Sequence, residues 1–322
     1  MSSGTADLAA RLVAGDRAAL ARTLTRLERD AAHSAEFDRL LAPHTGRAYT
    51  IGITGAPGAG KSTLVGALLE HAVRHDRRTA VLALDPRSPF TNGAILGDRM
   101  RMERSTADER VFVRSMTADA HGGGLSAATP LAVRAVDAAG WPYIVIETVG
   151  VGQSELDIVE AAATTVVVLN PGWGDEVQSV KAGLLEIADV FVINKAERDG
   201  TAELRHDLER LLTLGGPRPW RVPIVLTQAH EGLGITELWE AIEAHRAYQM
   251  QSGELLTRRE RFYRLAVRTL VQQAWTTRFD RAWQDPDVKG AMAALVDGQS
   301  ALADVSDVLL EKMLSERRQP SV

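Results

Sequence analysis

The sequence predicts a doubly wound α/β domain with a mostly parallel sheet, extended by helices at its N- and C-terminal ends. Three observations carry this. Short apolar runs rich in β-branched residues recur between Tyr49 and Thr227; helical stretches separate them; and such runs are missing before residue 49 and after Gly253. Continuous rather than alternating apolar runs suit strands buried on both faces, the condition of a parallel sheet with helices on each side.

Residues 1–48 form the N-terminal extension. Leu8, Leu12, Ala19, Leu20, Leu24 and Leu27 follow helical spacing, and the pattern from residue 5 to about 46 accounts for one or two amphipathic helices. The domain proper, residues 49–250, opens with YTIGIT and continues through TAVLAL, VFVR, YIVIET, TTVVVLN, VFVIN and PIVLT. Helices are expected between them over residues 61–75, 123–139, 177–188 and 201–214. In residues 251–322, RRERFYRLAVRTLVQQAWTTRFDRAW and VKGAMAALVDGQSALADVSDVLLEKML read as two amphipathic stretches of a helical arm.

Composition bounds the function. With 45% hydrophobic and 25% charged residues, the 322-residue chain matches an ordinary globular protein. A net charge of -5 supplies no bulk basic field for nucleic acid or an anionic membrane. With 0 Cys there is no thiolate metal site, iron–sulfur cluster or cysteine nucleophile. The N-terminus interleaves charges every few residues, and no apolar stretch approaches membrane-spanning length, so a cytoplasmic location is expected.

The first strand runs into Gly55, Ala56, Pro57, Gly58, Ala59, Gly60, Lys61, Ser62 and Thr63, satisfying G-x-x-x-x-G-K-[ST] in the strand–loop–helix context that this phosphate-binding loop requires. The glycines let successive N–H groups and a helix N-terminus converge on phosphate. Lys61 then spans the β- and γ-phosphates, and the Ser62 hydroxyl ligates Mg²⁺. Asp85 and Glu147 each close a strand, at the carboxyl edge where such sheets bind ligands. Glu147 precedes Thr148-Val149-Gly150, an arrangement in which the carboxylate serves Mg²⁺ and the Gly150 N–H meets the γ-phosphate. The loop from Asp85-Pro86-Arg87 to Gly97-Asp98-Arg99 has the composition of a switch that orders around phosphate. Asn194-Lys195-Ala196-Glu197 ends a strand and is close to N-K-x-D. A carboxylate there accepts from guanine N1–H and the 2-amino group, neither of which adenine offers.

With these motifs, DPRSP, GDRMRM, HGGGLS, ETVGVGQSE, PGWGDEVQ, EIADVFVINKAE and QAHEGLGITELWEAI in chain order, the sequence resembles the MeaB/ArgK family of P-loop GTPases over roughly residues 5 to 320. The resemblance implies a G domain of the signal-recognition-particle and MinD-like class, and GTP hydrolysis with GTP/GDP and Mg²⁺ bound. It implies a homodimer made through the helical extensions. It also implies a role in gating adenosylcobalamin loading and in protecting or rescuing a B12-dependent acyl-CoA mutase. Carried over position by position, Lys61, Asp98 and Glu147 serve catalysis, and Ser62, Asp85, Asp98 and Glu147 surround the metal. Asn194, Lys195, Glu197, Gln228, Ala229 and His230 complete the nucleotide site, with the Ala229 N–H directed to guanine O6. The loop from Gly174 through Asp175 to Lys181 is the family's extra switch. The chain departs from the family in carrying Glu197 for Asp, Gln228 for Ser and Arg87 for Ser.

Other features have plainer readings. His71 and His75 stand one helical turn apart, but without a third ligand they read as a solvated helix face. Gln153 falls three residues beyond Gly150 rather than next to it, and His121 precedes a triple-glycine turn. Arg258, Arg259, Glu260, Arg261 and Arg264 read as an exposed charged helix face. Two other functions share the phosphate loop. A nickel metallochaperone GTPase wants the Cys or His cluster this chain lacks, and a small-molecule kinase has no need of Asn194-Lys195-x-Glu197.

Overall fold

The structure is a computed structural model that describes residues 3–29, 34–85, 108–117, 128–148, 154–172, 186–215 and 218–315. Its centre is a seven-stranded sheet comprising β1 (Tyr49–Gly55), β2 (Thr79–Asp85), β3 (Val111–Thr117), β4 (Tyr143–Glu147), β5 (Thr164–Leu169), β6 (Val190–Asn194) and β7 (Ile224–Thr227). The spatial order is β3-β2-β4-β1-β5-β6-β7, and the pairings among these described strands are all parallel. Each apolar run named from the sequence forms one of these strands, with ends shifted by at most a few residues.

Alternate residues of the strands feed two cores. On one face Ala80, Leu82, Ile144 and Ile146 pack with the N-terminal helices α1 (Ser3–Val13), α2 (Arg17–Arg29) and α3 (Ser34–Leu41), which are followed by a 3-10 turn, Ala42–His44. Helices Thr129–Ala138 (α5) and Ser154–Ala161 (α6) complete that layer. On the other face Ile51, Ile53, Val81 and Val145 pack with α4 (Lys61–Arg74) and α8 (Ile235–Ser252), while α7 (Thr201–Leu214) covers the β5–β6 end.

Among the described residues the N-terminal segment therefore holds three α-helices where its periodicity accounted for one or two. Gly15, at φ +87°, ends α1: the Asp16 N–H bonds to Arg11 O at 3.0 Å and the Gly15 N–H to Leu12 O at 2.9 Å. Asp16 then caps α2 by accepting from the Ala18 and Ala19 N–H groups at 2.8 and 3.0 Å. These amides, with the Arg11 guanidinium, hold its carboxyl below the usual range. The same punctuation divides the arm. Gly253 (φ +79°) separates α8 from the 29-residue α9 (Glu254–Ala282), and Gly298 (φ +72°) separates α10 (Pro286–Val296) from α11 (Leu302–Ser315).

A buried polar joint fastens α9 to the amino ends of the strands. Arg258 Nη1 and Nη2 reach the two carboxylate oxygens of Asp189 at 2.6 and 2.7 Å, which corrects the reading of Arg258 as part of an exposed face. The sequence cannot pair residues so far apart in the chain. His245, wholly buried, has Nδ1 2.8 Å from Thr164 Oγ1 and Nε2 3.4 Å from Asp189 Oδ1. Burial pushes it down to about 4 against the opposing pull of Asp189. Among the described residues no helix is long and apolar enough to cross a membrane.

Candidate functional site

The site stands at the carboxyl edge of the central strands, where β1 lies between β4 and β5. The chain leaves β1 at Gly55 with φ +129°, and a Cβ there would lie 2.0 Å from Val168 O. Gly60, at φ +90°, lies so close to Asn194 that a Cβ would approach its Nδ2 to 2.5 Å. Only glycine meets both demands. Between them Pro57 and Gly58 are exposed, whereas Ala56 and Ala59 are buried in the core.

Lys61 opens α4 and is 7% exposed, with Nζ donating to the carbonyls of Gly55 at 3.0 Å and Ala56 at 2.9 Å. Ser62 follows it, Oγ donating to Glu147 Oε1 at 2.6 Å, and Thr63 is half-buried. Sheet register makes the Ser62–Glu147 contact possible: Glu147 stands opposite Ile53, two residues before the loop begins. The Thr148 N–H donates to Ile53 O at 3.0 Å and its hydroxyl to Thr54 Oγ1 at 3.0 Å, which fixes the strand end.

On the opposite side of the loop, Asn194 at the end of β6 is 2% exposed. Its Nδ2 donates to Ala59 O at 2.8 Å, and its Oδ1 accepts from Thr227 Oγ1 at 3.0 Å and from the Ala229 N–H at 3.1 Å. Asn194 thus ties three segments together, and the hydrogen that the sequence reading directs to guanine O6 is already shared with its oxygen. Lys195 takes a left-handed conformation, φ +58°, and Nζ crosses to Gly58 O at 2.7 Å. Glu197 is exposed on the following turn. Gln228 pairs with Leu233 and closes the loop that presents Ala229 in the core and His230 at the surface.

Asp85 is the last residue of β2, in register with Thr117; only its backbone is described. Asp98, Gly150, Asp175 and Lys181 lie outside the described residues, as do Arg87, His121 and Gln153. Two partners escaped the sequence reading. Thr227 ends β7, and its only sequence signal was a hydroxyl closing an apolar run. Asn170 follows β5, with its Oδ1 buried and its Nδ2 donating to Pro171 O at 3.0 Å. His71 is buried rather than solvated: it stacks on His75 at 4.2 Å and lies 5.7 Å from Trp239. The apolar underside of α4 outweighed its polar neighbours in sequence. Among the described residues no group of three or more His, Cys, Asp or Glu side chains gathers as a metal site.

Chemically, a glycine-rich bend at a helix N-terminus with a buried ammonium attracts phosphate, and the Ser62–Glu147 pair offers hard oxygen donors of the kind Mg²⁺ requires. The comparisons agree with that chemistry. The sequence profile of the family described as methylmalonyl Co-A mutase-associated GTPase MeaB matches residues 20–284. A Pyrococcus abyssi protein named for GTPase activity is 46% identical over 269 residues, covering 82% of this chain and 83% of that protein. The mouse methylmalonic aciduria type A homolog, a mitochondrial protein, is 32% identical over 281 residues, 81% of this chain and 68% of the homolog. A crystal structure described as a LAO/AO transport system kinase superposes with a TM-score of 0.67 at 27% identity, covering 97% of this chain and 98% of that one.

Proposed function

The chain belongs to the MeaB family of methylmalonyl Co-A mutase-associated GTPases, and from that premise we propose that it is a cytoplasmic GTP-hydrolysing chaperone of an adenosylcobalamin-dependent acyl-CoA mutase. In this reading it gates cofactor loading and protects or reactivates the mutase. The observation that carries the catalytic half is the 2.6 Å contact between Ser62 and Glu147 beside the glycine-rich loop.

On this reading the loop amides and Lys61 hold the β- and γ-phosphates. Ser62 and Glu147, with Asp85 and Asp98, hold Mg²⁺, which when bound neutralises charge on the phosphate oxygens. Gly150 meets the γ-phosphate. Asn194 orders the base loop, the Lys195 stem packs on the base, and Glu197 accepts from guanine with help from the Gln228-Ala229-His230 turn. Asp175 and Lys181 form the switch that reports nucleotide state to the mutase. The arm supports a homodimer. Tyr263, Val267, Val271, Trp275, Phe279 and Trp283 recur every fourth position along α9 and its C-cap, and all are exposed, which is the pattern of a helix awaiting an apolar partner.

The test is GTP turnover with Mg²⁺ and no phosphoryl acceptor, for wild type and Lys61→Ala. Basal hydrolysis is expected at about 10⁻⁴ to 10⁻³ s⁻¹, rising with a cobalamin mutase present, with turnover lost in the variant and the fold retained. Unchanged turnover in the variant rejects the site. A requirement for an acceptor points to a kinase instead.

A further inference from the structure

The two edges of the sheet are finished differently. At the β3 edge, Arg17 from α2 donates to the carbonyls of Asp108 (3.4 Å), Glu109 (3.2 Å) and Val111 (2.5 Å), and Glu28 Oε1 accepts from the Thr117 N–H at 3.2 Å. Side chains of one helix thus occupy that edge, a usual protection against a further strand.

At the other edge, among the described residues, β7 pairs with β6 alone. The Phe191 N–H donates to Pro223 O at 2.9 Å and the Ala196 N–H to Thr227 O at 3.1 Å, so Pro223, Val225 and Thr227 direct their backbone groups toward β6. In a parallel ladder the intervening residues, Ile224 and Leu226, direct theirs outward. Gly234 closes on Leu226, since a Cβ there would lie 2.0 Å from its carbonyl oxygen. Among the described residues no side chain bonds to the backbone of Ile224; in residues 221–224 Arg221 is exposed and Pro223 and Ile224 are half-buried, while Val222 is buried.

Beside this stretch runs an open groove of about 790 Å³ between α7 and residues 218–224. Among the described residues Arg205, Arg218 and Arg221 line it with one acid, Glu209, which pairs with Arg205 at 2.9 Å, so the groove is basic on balance in a chain whose net charge is -5. Its floor includes Trp220, which is held in place because Nε1 donates to Asp189 O at 2.8 Å and the ring packs 4.8 Å from that of His245. A small anion would use the arginines but not the backbone edge, and a basic segment would be repelled. An extended chain with acidic side chains uses both. We propose that residues 221–224 and the adjoining groove are a docking site for an extended acidic segment of a partner protein, which adds alongside β7 as one more strand.

The test uses the full-length protein and a fluorescein-labelled peptide of alternating valine and glutamate, read by anisotropy. Saturable binding is expected, and its valine–lysine counterpart should not bind. Arg221→Glu should weaken the acidic peptide about tenfold while leaving basal GTP hydrolysis unchanged, because the charge lies in the groove and not at the phosphate loop. Backbone N-methylation of alternate peptide residues, which removes N–H donors without touching the protein, should also abolish binding. Equal affinity for both peptides, or undiminished binding by Arg221→Glu or by the methylated peptide, overturns the proposal. Binding of inorganic phosphate in competition with a methylated peptide that still binds would replace it with a simple anion site.

Discussion

Asn194 Nδ2 donates to Ala59 O at 2.8 Å, and through this bond the end of β6 is fastened to the phosphate loop at the end of β1. The same side chain accepts from Thr227 and Ala229, so one residue joins the loop to the segment that ends β7. Asn194→Ala strands three buried groups and is expected to cost about 2–4 kcal/mol of stability while weakening GDP binding. Urea unfolding and nucleotide titration measure the two effects. Normal values of both would remove Asn194 from this role.

The glycines of the loop separate by geometry. Gly55→Ala sets a Cβ 2.0 Å from Val168 O, whereas at Gly58, φ +72°, the Cβ enters open space. Gly58→Ala is expected to cost about 1 kcal/mol for the left-handed backbone, and Gly55→Ala to cost several times that or prevent folding. Thermal unfolding of the two variants side by side checks the order, and equal midpoints would contradict it.

His245 gives stability a dependence on pH. Its native value near 4, set by burial and only partly offset by Asp189, lies below its ordinary 6.5. Over that interval the unfolded chain binds the proton more readily, so the contribution is complete above about pH 6.5 and is lost as pH falls toward 4. Between about pH 7.5 and pH 5 roughly 2 kcal/mol should disappear from wild type, and less from His245→Gln. Identical pH profiles for the two proteins would show that His245 is not the group responsible.

The stripe on α9 makes the last prediction. Trp275 is 45% exposed and Val271 60%, so Trp275→Asp removes little from the core of a single chain. Sedimentation should find a dimer for wild type and a monomer for the variant, with unfolding of the monomer little changed. A wild-type monomer at tens of micromolar, or a dimeric variant, would reject the arm as the dimer contact.

The sequence by itself determined the strands and the phosphate loop, because both are local. Short β-branched runs bounded by turn residues favour strands, and the glycine-rich signature from Gly55 to Ser62 is contiguous in the chain. Tertiary structure alone decided which distant groups share a contact. Ser62 meets Glu147 because β4 registers Ile53 against Glu147. Asn194 became a tie because Ala59 and Thr227 converge on it, and Arg258 became buried because Asp189 lies beneath α9. Periodicity reports only whether a position faces inward. The partner found there depends on strand order and helix packing, which no local pattern encodes, and for that reason a charged run could conceal a buried ion pair and His71 could look solvated.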